Sequence, residues 1–339
     1  MTLRARALIA LTFAAAGTIQ SAPNDCAACH VDQAKKFENT TMRRALESVA
    51  DGRILKANPD LRFELGQYRY RIRRDGDKSL YIVSDGAAEI TRPILWAFGL
   101  GKAGQTYVIE HEGALYESRV SFYQETSGLD LTIGAPAGVP KNMEEALGHK
   151  LTAHDVSACF GCHTVPGKIT MAQATEGHLI PGMQCVSCHK GAEKHAANPA
   201  AAKPVKFSTY SAEDISELCG SCHRTWADIS IKGPKGVANV RFQPYRLTNS
   251  KCYDASDRRI ACVACHDPHG RDEKIQLRSD AACASCHGTQ SAAKTARVCK
   301  IGKENCAPCH MPKYQIENSH HMFPDHQIRI ARTHDAYPN

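Results

Sequence analysis

The chain has 339 residues, with 42 Lys and Arg against 35 Asp and Glu, a formal charge of +7 with histidine neutral, and 42% apolar residues. The basic excess is spread thinly, so no Lys/Arg block marks a nucleic-acid footprint, and beyond the N-terminus no run nears the roughly 18 apolar residues of a membrane-spanning helix. The departures from ordinary composition are 16 Cys and 17 His.

At the N-terminus, Arg4 and Arg6 precede an apolar run over 7–16 and then small or polar residues to Ser21. This is the pattern of a secretory leader, 1–21, cleaved near Ser21 or Ala22. The mature chain is therefore expected to be periplasmic or otherwise exported, with no transmembrane span. An uncleaved N-terminal anchor is the alternative.

The segment 22–50 carries Cys26-Ala-Ala-Cys29-His30, and the same Cys-x-x-Cys-His spacing recurs at Cys159/Cys162/His163, Cys185/Cys188/His189, Cys219/Cys222/His223, Cys262/Cys265/His266, Cys283/Cys286/His287 and Cys306/Cys309/His310. Two thiols three positions apart can add across the two vinyl groups of one haem, and the next residue, His, then reaches the iron. Seven copies predict seven covalently attached haem c groups, with these seven histidines as proximal ligands. Zinc also binds Cys-x-x-Cys pairs, but a zinc ribbon does not require His after every second Cys. Losing the two leader arginines takes +7 to +5. Haem propionates, less the charge on iron, then add about −7 when oxidised and about −14 when reduced, so the loaded protein is near neutral or acidic.

Between the first and second motifs, residues 51–148 read as a small antiparallel β module. Phe63, Leu65, Tyr68, Tyr70 and Ile72 alternate with polar residues ahead of an Asp75-Gly76 turn, 80–83, 106–109 and 115–122 continue the pattern, and Glu112-Gly113 is a second hairpin signal. The remainder divides into two haem-binding regions of three motifs each, 149–235 and 236–339. They are rich in Gly, Pro, Ala and Lys, with short helices such as 212–218. Apolar residues there are too sparse for a core, so the haems must supply it. The fold class is thus mixed, with low regular secondary structure: a haem-packed core with short helices plus the β module.

Ten histidines lie outside the motifs, more than the seven sixth ligands required. His154, His178, His195 and His269 sit close to motifs in sequence, and His320, His321 and His326 form a C-terminal cluster; these seven are the candidate distal ligands. His111, beside a strand turn, reads as structural or exposed, and His149 and His334 stay open. The spare thiols Cys252 and Cys299 are expected to form a disulfide, as an even remainder in an oxidising compartment. Two small buried hydrophobes are the other reading.

Several segments carry a more specific resemblance: Cys26-Ala-Ala-Cys-His followed by Phe37-Glu-Asn-Thr-Thr-Met42-Arg-Arg-Ala, Phe242-Gln-Pro-Tyr-Arg-Leu, Cys262-Val-Ala-Cys-His-Asp-Pro-His269, and Cys306-Ala-Pro-Cys-His-Met-Pro-Lys with Asp325-His326. Over nearly the whole mature chain the sequence resembles multihaem c-type cytochromes with doubled motifs, the cytochrome c-554-like group. The resemblance implies closely stacked, mostly bis-His haems and an electron-transfer role. In that pattern an aromatic residue, a small hydroxyl residue and a His follow the first motif, and here Phe37, Thr40 and Met42 hold those places. Met42 is thus either a thioether sixth ligand or a packing residue. Relatives commonly carry a His in the connection near Gly99, where this chain has Ala103, so no role transfers there.

Two function classes follow. The first is a respiratory electron relay between redox proteins or a quinol-oxidising membrane complex, with no catalytic residues and oligomerisation through haem stacking left open. The second is a haem-dependent reductase in which one open-faced haem reduces a small nitrogen or sulfur oxyanion. The absence of a Cys-x-x-Cys-Lys variant and the large His pool favour the relay. A structural haem filament is a third reading.

Overall fold

A computed structural model describes residues 25–165, 169–176, 179–270, 274–288, 299–332 and 335–338. The leader, His178 and His334 lie outside these residues.

The β region is larger than the sequence suggested. Ten strands form one antiparallel sheet: β1 (Leu46–Ser48), β2 (Asp60–Leu65), β3 (Tyr68–Asp75), β4 (Lys78–Ser84), β5 (Glu89–Gly101), β6 (Gly104–His111), β7 (Ala114–Ser118), β8 (Val120–Tyr123), β9 (Gly128–Leu131) and β10 (Gly148–Lys150). The main path runs β10-β7-β6-β5-β4-β3-β2, with β1 on β5, and β8 on β6 and β9. Both anticipated turns are two-residue hairpin loops, since Asp75 pairs with Lys78 and His111 with Ala114. Glu112 and Gly113 both take positive φ, 51° and 74°, as the turn matching strand twist requires.

Two features escaped the pattern. β5 contains Pro93, Gly99 and Gly101, which weaken a strand signature. Yet its first part pairs with β4 as far as Pro93, and from Ile94 onward it pairs with β6. The expected strand over 115–122 is two strands broken at Arg119. That buried guanidinium donates to the carbonyls of Glu145, Pro136 and Gly138, pinning the following loop.

The strand alternation yields two cores. One face gathers Tyr68, Tyr70, Ile72, Tyr81, Ile94, Tyr107 and Ile109. The other gathers Leu46, Trp96, Val108 and Leu115 against Val156 and Phe160 of the Ala153–His163 helix. Phe160 meets Trp96 and Phe98 edge-on, with ring centres 5.9 and 4.9 Å apart, and Trp96 Nε1 donates to Ala174 O at 2.7 Å. Because Phe160 lies inside the second motif, this core ties the sheet to the first of the C-terminal haem motifs.

Beyond residue 200 the packing changes. The apolar cluster there has only Ala212, Ile215 and Ala261 at its buried centre. The Ile275–His287 helix buries none of its residues, and Leu277 on it is 69% exposed.

Candidate functional site

All seven motifs sit on helices, which is what their spacing demands, because positions three and four apart share a helix face. The Ala153–His163, Ala212–His223 and Ile275–His287 helices each end on a motif His. The other motifs occupy single turns, Asp25–Cys29, Cys185–Cys188, Cys262–Cys265 and Cys306–His310. Capping boxes at Thr152/Asp155 and Ser211/Asp214 satisfy the free N–H groups that begin two of the long helices.

The motif thiols differ in depth. Cys29 and Cys309 are exposed, whereas the other twelve are partly buried. The physical reason at Cys309 is local. The Cys306–His310 turn buries none of its residues, and it is anchored at its first residue, where Asp280 accepts from the backbone N–H groups of Asn305 and Cys306 at 2.9 Å each. Cys309, almost a turn further on, stands clear of that anchor. Attachment requires only that the thiol reach a vinyl group, so the exposure of Cys29 and Cys309 leaves that chemistry open to them.

Two pairs of rings face each other across gaps of one size. His189 and His269 have centres 5.8 Å apart and planes within 19°; His266 and His326 have centres 6.2 Å apart and planes within 23°. An iron bonded to a nitrogen of each ring at about 2 Å, with about 1.1 Å more to each ring centre, would hold the centres roughly 6.2 Å apart. Each pair joins a motif histidine to one of the candidate distal ligands, so the residues fit a bis-His haem. Leu277, left exposed on Ile275–His287 beside the sixth motif, is a side chain that a cofactor packed there would cover.

Four rings are oriented through their other nitrogen. His163 Nδ1 donates to Ala45 O at 2.9 Å, His195 to Ala202 O at 2.8 Å, His310 to Arg329 O at 2.9 Å and His326 to Pro324 O at 3.1 Å. That bond fixes the tautomer and leaves Nε2 free to bind a metal. Burial lowers the pKa of His163, His189 and His223, and takes His326 down to about 4. The neutral imidazole so favoured is the ligating form.

The motifs are neighbours. Cys162 Sγ lies 3.9 Å from Ser221 O, Cys219 and Cys262 pack against the same small apolar cluster, and Asp280 on the helix of the sixth motif accepts from the backbone N–H of Cys306 at 2.9 Å. His189 of the third motif lies near His269 just beyond the fifth, Arg259 ahead of the fifth donates to Ser285 O within the sixth at 3.3 Å, and Met183 N ahead of the third donates to Met42 O at 3.4 Å. The second motif thus adjoins the fourth, and the fourth, fifth, sixth and seventh follow one another, while the segment after the first motif meets the segment before the third.

The remaining candidates are placed differently. His154 projects to solvent, its side chain 91% exposed and its Nδ1 3.9 Å from Asp155. His149 stands on β10 near the same carboxylate, 3.6 Å away. His320 is drawn to the sheet, donating from Nε2 to Asp130 at 2.8 Å with its ring against Tyr123. His321 packs edge-on against Phe323. His111 closes β6 beside Tyr116, with its Nδ1 buried and without a hydrogen-bond partner. Half-buried Met42 lies beside the third motif, its carbonyl accepting from Ala45 and, at 3.4 Å, from Met183.

The expected Cys252–Cys299 bridge is not formed; both thiols are free and exposed. Cys252 lies near Cys286, whereas the Cys299 sulfur accepts from the backbone N–H groups of Gly302 and Ile301. Parity of the leftover thiols carried no information about distance.

Sequence reasoning also missed a buried charge network, Arg246 with Asp325 and Arg329, immediately before His326. Its signal was present: Arg246 and Asp325 both fall within the segments that carry the family resemblance.

A family model described as the doubled CXXCH motif matches residues 256–292, which include the fifth and sixth motifs. The multiheme cytochrome MtrA of Shewanella baltica (strain OS185) is 25% identical over 201 residues, covering 53% of this chain and 54% of that protein. The chain thus spans about half the length of the curated relative it matches. The crystal structure of the outer cell wall cytochrome OcwA aligns with a TM-score of 0.33 at 16% identity, covering 59% of this chain and 36% of that one. Among the described residues no helix is long and apolar enough to cross a membrane.

Proposed function

We propose that the chain, a multihaem c-type cytochrome by its similarity to such proteins, carries seven covalently attached haems in one connected array and relays electrons between redox partners. The observation that supports this reading is the packing of the second, fourth, fifth, sixth and seventh motifs one against the next, with the third reaching the fifth through His189 and His269. When bound, each haem supplies a one-electron ferric/ferrous couple.

The chain's own residues fix and orient the group. Each motif's two cysteines would hold it covalently and its histidine would bind one face. His269 would close the other face at the third motif and His326 at the fifth, and His195, oriented through Nδ1, would be a further distal ligand. Asp130 holds His320 by Nε2, and the exposure of His154 leaves it facing water; both are the weaker distal candidates. Met42, beside the third motif, remains the candidate thioether ligand in the N-terminal half. The reading keeps 22–50, 149–235 and 236–339 as haem-binding segments and 51–148 as their scaffold. It places the protein outside the cytoplasm on the strength of the leader pattern, with a redox protein or a quinol-oxidising membrane complex as electron donor.

The test is a reductive titration with carbon monoxide present. Uptake of seven electrons per chain with little carbon monoxide bound is expected of a fully capped relay. Rapid stoichiometric binding at one haem, with turnover of nitrite or hydroxylamine, would replace the relay with the reductase reading.

A further inference from the structure

Asp325 has no solvent exposure and holds two arginines. Arg246 Nε donates to its Oδ1 at 2.8 Å and Nη2 to its Oδ2 at 3.1 Å, a forked contact, while Arg329 Nη1 reaches Oδ2 at 2.6 Å. Arg246 is itself buried, lies 4.6 Å from the centre of the Tyr337 ring and donates to Gln327 Oε1 at 2.6 Å. Arg329 also donates to Gln327 O and Tyr314 Oη. Buried charges paired in this way have few alternative arrangements, because breaking one contact strands another charge away from water.

Two histidines hang from this frame. His326 follows Asp325 directly, its ring facing His266. His310, the proximal histidine of the seventh motif, is clasped by the Arg329 backbone: Arg329 N donates to His310 O at 3.1 Å, and His310 Nδ1 donates to Arg329 O at 2.9 Å. A carbonyl on Nδ1 sets the tautomer, direction and basicity of a ligating ring.

We propose that Asp325 is a positioning residue for two haems at once, fixing His326 as distal ligand at the fifth motif and, through Arg329, His310 as proximal ligand at the seventh. The proposal rests on the assignment of His326 as a ligand. Asp325 touches neither iron; it acts by clamping the backbone and guanidinium groups that aim both rings, so one carboxylate sets the ligand geometry of two separate sites.

The test compares His326→Ala and Asp325→Asn in the full-length holoprotein by low-temperature EPR of the ferric haems and by redox titration. His326→Ala is expected to convert one low-spin haem, whereas Asp325→Asn is expected to move the signals and midpoints of two. Arg329→Lys and Arg246→Lys keep the charge and lose the fork. If Asp325→Asn fails to mature, they read the two arms separately, each expected to move one haem. Mature Asp325→Asn with every signal in its wild-type place, or a lowered melting temperature alone, overturns the positioning role. An unchanged His326→Ala spectrum overturns the ligand assignment beneath it.

Discussion

Truncating Phe160 to Ala probes the joint between sheet and haem region. Phe160 has no exposure and meets Trp96 and Phe98 edge-on, and Phe98 in turn meets His163 edge-on with ring centres 5.1 Å apart. Removing a fully buried phenyl costs about 3–5 kcal/mol, the transfer and cavity terms together. Each of the two aromatic contacts contributes about 0.5–1.5 kcal/mol within that sum. Phe160→Leu refills most of the volume and forfeits mainly the ring contacts, so roughly 1–3 kcal/mol is expected. The assay is guanidinium unfolding followed by far-ultraviolet circular dichroism, compared as midpoints because a chain with several cofactors need not unfold in one step. The ferric spectrum of the haem held by His163 is expected to change in the same variant, since Phe98 loses its support. A Phe160→Ala midpoint shift equivalent to under about 1 kcal/mol, or a Leu variant as damaged as the Ala variant, would refute the packing argument.

Three further outcomes are expected. His269→Ala should open the distal face at the third motif, so that the reduced variant binds carbon monoxide at about one haem in seven and the parent at few or none. A Cβ on Gly182 would lie 1.8 Å from Arg43 O, at a φ of +75°. Gly182→Ala should therefore push away the segment carrying Met42 and Ala45, lower thermal stability by more than about 2 kcal/mol, and release the Ala45 carbonyl from His163; a variant as stable as the parent would contradict that packing. Cys252 and Cys299 should both react with an alkylating agent in the native protein without prior reduction, and protection of both would reinstate the disulfide.

Haem attachment was readable in the sequence because its chemistry is contiguous: two thiols and a ring within five residues need no knowledge of the fold. How deeply each thiol sits was not, since the exposure of Cys309 depends on where Asp280 anchors its turn. Which histidines meet was hidden too, because it depends on residues brought together from afar, as His269 is to His189 and His326 to His266. His320 and His326 belong to one short cluster, yet Asp130 of β9 claims the first while the Asp325 frame holds the second. The hairpins at Asp75-Gly76 and Glu112-Gly113 were visible because only particular residues tolerate positive φ. β5 was not, because Pro93 and the two glycines obscure a strand whose pairing partners, not its composition, hold it extended.

The most direct measurement is the intact mass of the full chain matured in a host with the c-type attachment machinery. Seven haems, about 0.6 kDa each above the mature polypeptide, are expected from seven complete motifs. A mass corresponding to fewer than six would contradict the connected seven-haem array.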